Sequence, residues 1–133
     1  MRVLLDTHYL LWALDRPARL PLNVRAVIED TGNDIMFSAA SIWEIGIKAA
    51  LRSSEFEAHP HRIAEAAVIV GFTCLPITAA DAASVADLPM HHRDPFARLL
   101  VAQALALPAR LLTADTALLP YADLIWHQPP LPR

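Results

Sequence analysis

Four carboxylates stand where elements of regular structure begin or end: Asp6, Glu44, Asp94 and Asp115. Asp6 closes the short apolar run Val3-Leu4-Leu5, and a helical pattern starts straight after it. Asp115 closes a second such run, Leu111-Leu112-Thr113-Ala114. Glu44 falls on the first turn of the helix that follows the run Ile35-Met36-Phe37, and Asp94 precedes Pro95 at the head of the clearest helical pattern. Acids gathered in one place repel and desolvate one another. A divalent cation removes that cost, and Mg²⁺ or Mn²⁺ favours hard oxygen donors together with water and substrate phosphate. Such a site can activate water and clamp the leaving oxygen of a phosphodiester. Each acid also has an ordinary structural role. Asp6 and Asp94 are good N-caps, Ser41 and Glu44 have the spacing of a capping box, and Asp115 before Thr116 can open a turn.

These acids meet only if the elements carrying them share one edge. Residues 2–5 read as a first strand, followed by a short helix from Thr7 that Asp15-Arg16-Pro17 stops. Asn23 to Asp30 has apolar residues at helical spacing and ends in the turn cluster Thr31-Gly32-Asn33-Asp34. A second strand covers 35–37, and Ser38-Ala39-Ala40-Ser41 leads into a largely apolar helix through Ala50. Residues 52–61 read as a loop, Arg62 to Val70 as a helix closed by Gly71, and Phe72 to Ile77 as a third strand weakened at Pro76. Thr78 caps an Ala-rich helix through Ala86, and residues 90–93 form a polar loop. The helix opened by Asp94-Pro95 runs to Leu107-Pro108. Residues 110–113 are a fourth strand, 124–126 an edge strand, and the proline-rich tail from Gln128 is irregular. Strands alternating with helices predict an α/β fold, a four- to five-stranded parallel sheet flanked by helices on both faces. Right-handed crossovers bring the strand C-termini to one edge, where ligands gather. Thr7, Ser38 and Thr113 fall beside that edge, where their hydroxyls can orient ligands or water, or simply pack.

The length of 133 residues predicts one domain over 1–133. No apolar run approaches the roughly 20 residues of a membrane span, and no N-terminal signal pattern is present. Cys74 is the single cysteine, which excludes a disulfide framework and suits a cytoplasmic setting. A formal charge of −3 argues against wrapping nucleic acid by bulk electrostatics, yet leaves room for RNA chemistry at a metal-filled acidic site. A 55% hydrophobic composition is high enough to suggest an apolar face that a partner covers. His91-His92 lack a His or Cys partner at zinc spacing. With three glycines there is no phosphate-cradling loop, and no Gly-x-Ser-x-Gly elbow occurs. Trp12 and Trp43 read as core or partner contacts. Arg93 and Arg98 can steer phosphate, solvate their helix or meet a partner carboxylate.

Taken together, Leu4-Leu5-Asp6-Thr7-His8, Ser38-Ala39-Ala40-Ser41-Ile42-Trp43-Glu44-Ile45, His92-Arg93-Asp94-Pro95-Phe96 and Leu111-Leu112-Thr113-Ala114-Asp115 resemble the PIN domain. More narrowly they are similar to VapC-type toxins of bacterial type II toxin–antitoxin systems. The resemblance implies a PIN fold and a Mg²⁺- or Mn²⁺-dependent endoribonuclease cutting RNA, often tRNA or rRNA. It also implies inhibition by a VapB-like antitoxin, a homodimer, and contact with operator DNA only through the antitoxin. Asp6, Glu44 and Asp115 match the first, second and fourth acids of the family. Relatives commonly read Asp-Pro-Phe-Asp-Arg where this chain has Asp94-Pro95-Phe96-Ala97-Arg98. Ala97, at N3 of its helix, therefore takes the place of the usual third acid, and Asp94 is the available substitute. The methyl group of Ala97 cannot bind metal or water. The resemblance thus implies an activity-reduced toxin, whether by engineered substitution or natural degeneracy. A catalytically silent module kept for antitoxin binding is the alternative, and a nuclease for DNA or flap structures a third reading.

Overall fold

A computed structural model describes residues 1–51 and 58–132. Five parallel strands, β1 (Arg2–Leu5), β2 (Asp34–Ser38), β3 (Thr73–Leu75), β4 (Arg110–Thr113) and β5 (Ile125–His127), form one sheet in the order β3-β2-β1-β4-β5. The first strand lies in the middle because β2 pairs on one side of it and β4 on the other, Leu4 standing opposite both Met36 and Leu111. Val3, Leu4 and Leu5 are wholly buried, as a strand covered on both faces requires.

Among the described residues six α-helices connect the strands: α1 (Thr7–Asp15), α2 (Leu22–Glu29), α3 (Ala39–Ala50), α4 (Pro60–Ile69), α5 (Ala79–Ser84) and α6 (Pro95–Ala106). The pleat divides the core in two. Val3, Leu5, Ile35, Phe37 and Leu112 face Tyr9, Leu10, Val24, Ile45, Ile63 and Ala67 of α1 to α4. The alternate residues Leu4, Met36 and Leu111 face Leu100, Val101 and Ala104 of α6, with Leu118 and Ile125. The α/β sheet with helices on both faces is the architecture the alternating pattern predicts, and the edge strand after residue 124 makes the fifth member.

Local differences have simple causes. Helix α3 begins three residues before the Ser41–Glu44 spacing suggests: Ser38 is its N-cap, its hydroxyl accepting the Ala40 N–H at 3.0 Å. Ser41 lies inside the helix, so Ser41 and Glu44 share a helix face rather than close a capping box. A reciprocal capping box does form at α5, between Thr78 and Asp81. Helix α4 starts at Pro60, a favoured first-turn position for proline, and Gly71 ends it at a φ of 101°. Of the loop expected over 52–61, residues 52–57 lie outside the described residues. Strand β3 stops at Leu75 because Pro76 cannot donate to the ladder. No described helix is long and apolar enough to cross a membrane.

Candidate active site

The carboxyl ends of β1 and β4, the middle of α3 and the first turns of α6 surround one cleft of about 390 Å³. Asp6, Glu44, Asp94 and Asp115 all line it, together with Thr7, His8, Lys48, Ala97 and Thr113. Asp6 is fixed most firmly. Its backbone N–H donates to Leu112 O at 3.0 Å, which ties it to the end of β4. Its side chain caps α1 by accepting the Tyr9 N–H at 2.9 Å. Capping and placement at the sheet edge are thus one arrangement.

Two threonines connect the acids. Thr113, fully buried, favours the charged form of the Asp6 carboxylate and accepts the Asp115 N–H at 3.0 Å, which puts it between the acids of β1 and β4. Thr7 lies 2.7 Å from Glu44 Oε1 and 2.9 Å from Ser41 Oγ. A hydroxyl has one proton. With Thr7 donating to the carboxylate, Ser41 donates to Thr7, and the series Ser41–Thr7–Glu44 orients one oxygen of Glu44. The other oxygen holds the Lys48 ammonium at 2.8 Å, one helical turn along α3.

Asp94 is the N-cap of α6, accepting the Phe96 N–H at 3.0 Å, and Ala97 occupies N3 as the sequence predicts. Asp115 caps the 3₁₀ segment Thr116–Tyr121 by accepting the Ala117 N–H at 2.9 Å. Its Oδ2 meets His92 Nε2 at 2.7 Å.

The two acids at the strand ends differ electrostatically. Burial pushes the Asp6 carboxyl above its usual range and nearby Glu44 adds to this, against the Tyr9 N–H, Thr113 and His8, which favour the charged form. Partial burial also raises Asp115, but the Ala117 N–H, the His92 hydrogen bond and the electrostatic influence of the nearby His92 and His8 rings outweigh it, so Asp115 lies below its usual value. Burial, with Asp6 next to it, moves Tyr9 up to about 12.

Oxygen donors of this kind suit a hard divalent cation, and a buried carboxylate whose ionisation is disfavoured gains most from one. Asp6, Glu44 and Asp115 are the candidate donors on this cleft, with Asp94 lining it as well. Among the described residues, however, no three Asp, Glu, His or Cys side chains already stand close enough to enclose an ion.

Two expected roles are corrected by the geometry. Ser38 does not line the cleft: its hydroxyl donates to Gln103 Oε1 at 2.6 Å and caps α3, so it is committed to packing the far side of the helix start. Gln103, itself buried, passes the contact on to Pro76 O at 3.1 Å. Arg98 is no phosphate-steering cation. It is buried, and its guanidinium donates to the carbonyls of Val85, Leu88 and Pro89 and to Tyr121 Oη. Sequence reading also passed over His92 as anything but a doubtful zinc ligand, because its partner is 23 residues away. The adjacency of His92 to the Asp94 cap was the available signal.

The family model of the PIN domain matches residues 3–124. No curated protein matches the sequence. Among solved structures, the chain is similar to one in the crystal structure of VapBC2 from Rickettsia felis bound to a DNA fragment from their promoter. The TM-score is 0.65 at 14% sequence identity, over 96% of this chain and 98% of that chain, which establishes a shared fold. With the family model running from the central strand that delivers Asp6 past the end of β4 that delivers Asp115, the chain belongs to the PIN domain family.

Proposed function

We propose that this chain is a VapC-like endoribonuclease toxin whose activity is reduced by Ala97. The observation that carries the reading is the single cleft onto which four separate elements bring Asp6, Glu44, Asp94 and Asp115, with Ala97 on the same wall. Membership of the PIN family and the fold shared with a VapBC2 chain support it. On this reading residues 1–133 are one catalytic domain, the substrate is RNA, with tRNA or rRNA the first classes to test, and a VapB-like antitoxin neutralises it. A homodimer, contact with operator DNA only through the antitoxin, and a cytoplasmic setting belong to the same reading.

The chain's own residues have definable tasks. Thr7 and Lys48 orient Glu44, Thr113 couples Asp6 to Asp115, and the buried walls beneath the cleft limit water to its open side. Asp6, Glu44 and Asp115 would hold Mg²⁺ or Mn²⁺, which when bound supplies the positive charge that acidifies water and offsets charge developing on a cleaved phosphodiester. Ala97 removes one carboxylate from that set and leaves Asp94 with one oxygen engaged in capping.

The test is RNA cleavage by this chain and by Ala97→Asp, with Mg²⁺, with Mn²⁺ and with chelator. Cleavage that is weak in the chain as given, strong in Ala97→Asp and lost with chelator supports the proposal. Equal, robust cleavage by both forms would refute the role given to position 97. A catalytically silent module for antitoxin binding is the second reading, favoured specifically by Ala97. It predicts tight antitoxin binding with no cleavage by either form.

A further inference from the structure

His92 joins the two walls of the cleft, and the acid-site reading gives it no task. Its ring Nδ1 accepts the Asp94 N–H at 3.0 Å. An acceptor nitrogen carries no proton, so the ring proton is on Nε2, which donates to Asp115 Oδ2 at 2.7 Å. One imidazole therefore bridges the N-cap of α6 and the carboxylate beyond β4.

The ring is itself held from behind. The backbone N–H groups of His91 and His92 both donate to Tyr121 Oη, at 3.1 and 2.9 Å. Tyr121 closes the 3₁₀ segment that Asp115 opens, so His92 is gripped at its backbone and its side chain by the two ends of one six-residue segment. Buried Arg98 adds a third donor to Tyr121 Oη at 3.1 Å and holds Pro89 O at 2.9 Å, fastening the start of the same loop to α6.

We propose that His92 is a positioning residue: a bracket of fixed tautomer that sets the Asp115 carboxylate against the head of α6, and so fixes the distance between the two acidic walls. It acts through Asp115 and Asp94 and needs no contact with substrate. The bracket rests on the nuclease reading only for its consequence in catalysis.

Two substitutions split it. Glutamine can place a donor where Nε2 lies but puts a methylene where Nδ1 accepts; asparagine can place an acceptor near Nδ1 but stops short of Asp115. Amide hydrogen exchange on the metal-free full chain reads both ends. In His92→Gln the Asp94 amide should exchange about tenfold faster while the Ala117 amide, held by Asp115, stays protected. In His92→Asn the pattern should reverse, and His92→Ala should free both. Long-range ¹H–¹⁵N spectra of the unsubstituted chain should show the Nε2–H tautomer. Uniform exchange across the three variants, or an Nδ1–H ring, would overturn the bracket whatever the nuclease assay shows. Cleavage measured on the same proteins, with the Ala97→Asp form alongside, tests the other reading. The reciprocal exchange pattern with no cleavage by any form keeps the bracket and removes the nuclease. Cleavage with no exchange response does the reverse. If both hold, His92→Gln should keep more of kcat than His92→Asn, with KM for RNA nearly unchanged.

Discussion

Replacing Ala97 with aspartate puts a fifth anionic wall residue into a cleft already lined by Asp6, Glu44, Asp94 and Asp115. Like charges about 7 Å apart repel by about 2 kcal/mol at an effective dielectric constant of about 20. A carboxylate at N3 recovers about 0.5 kcal/mol from the amides at the helix N-terminus. The Lys48 ammonium already pairs with Glu44 and a neutral N–H of His92 hydrogen-bonds Asp115, so repulsion from about one nearest carboxylate sets the cost. The net cost without metal is therefore about 2 kcal/mol, or a melting temperature lower by roughly 6–8 °C for a chain of this size. Mg²⁺ at a hundredfold excess over its Kd returns about 2.7 kcal/mol to a form that binds it. Scanning calorimetry of both forms, in chelator and in saturating Mg²⁺, should show the curves crossing: Ala97 more stable without metal, Ala97→Asp at least as stable with it. An aspartate form that is the more stable in chelator, or equal metal-induced gains in the two forms, would refute the assignment of position 97 to the acidic site.

Other perturbations probe the same arrangement. Because burial raises the Asp6 pKa in the folded chain, ionising it costs stability, and that cost is complete above the folded pKa and absent below the unfolded value near 4. Asp6→Asn should therefore melt higher than the parent at pH 7 in chelator, lose that advantage as pH falls toward 4, and show no metal-dependent gain. Arg98→Met strands three backbone carbonyls and should cost about 3 kcal/mol in urea unfolding, whereas exposed Arg93→Ala should leave the urea midpoint in place. Gln103→Leu removes the partner of Ser38 and of Pro76 O, and should cost about 2 kcal/mol in the same assay without changing Mg²⁺ affinity.

The sequence was most informative where a local rule and the global pattern agreed. Asp94-Pro95 opened α6 because cap and proline act within one turn, and β1 was legible because its apolar run is short, abrupt and followed by a helix. Ser41–Glu44 misled because three-residue spacing fits a capping box and a shared helix face equally. Only the true end of β2 at Ser38 separates them. Arg98 looked like a surface cation because charge in a sequence carries no burial, and the carbonyls that receive it belong to a loop with no periodicity. The Thr7–Ser41 contact and the His92–Asp115 contact span 34 and 23 residues, distances over which pattern reading has no purchase. The acids themselves could be placed on one edge from topology, but the hydroxyls and the imidazole that orient them could not.

The central position of β1 also governs when this site can exist. Asp6 is made well before its partners: its backbone N–H waits for Leu112, and the neighbouring Thr113, more than a hundred residues further along. A chain that folds as it emerges can pair β1 with β2 early, but half of the acidic cleft is still unsynthesised. The tail adds a final closure, with Gln128 O receiving the Tyr9 hydroxyl at 2.6 Å and the Leu131 N–H donating to Arg19 O at 2.8 Å. The strand order thus postpones assembly of the cleft: none of the early pairings can complete it before β4 has been made.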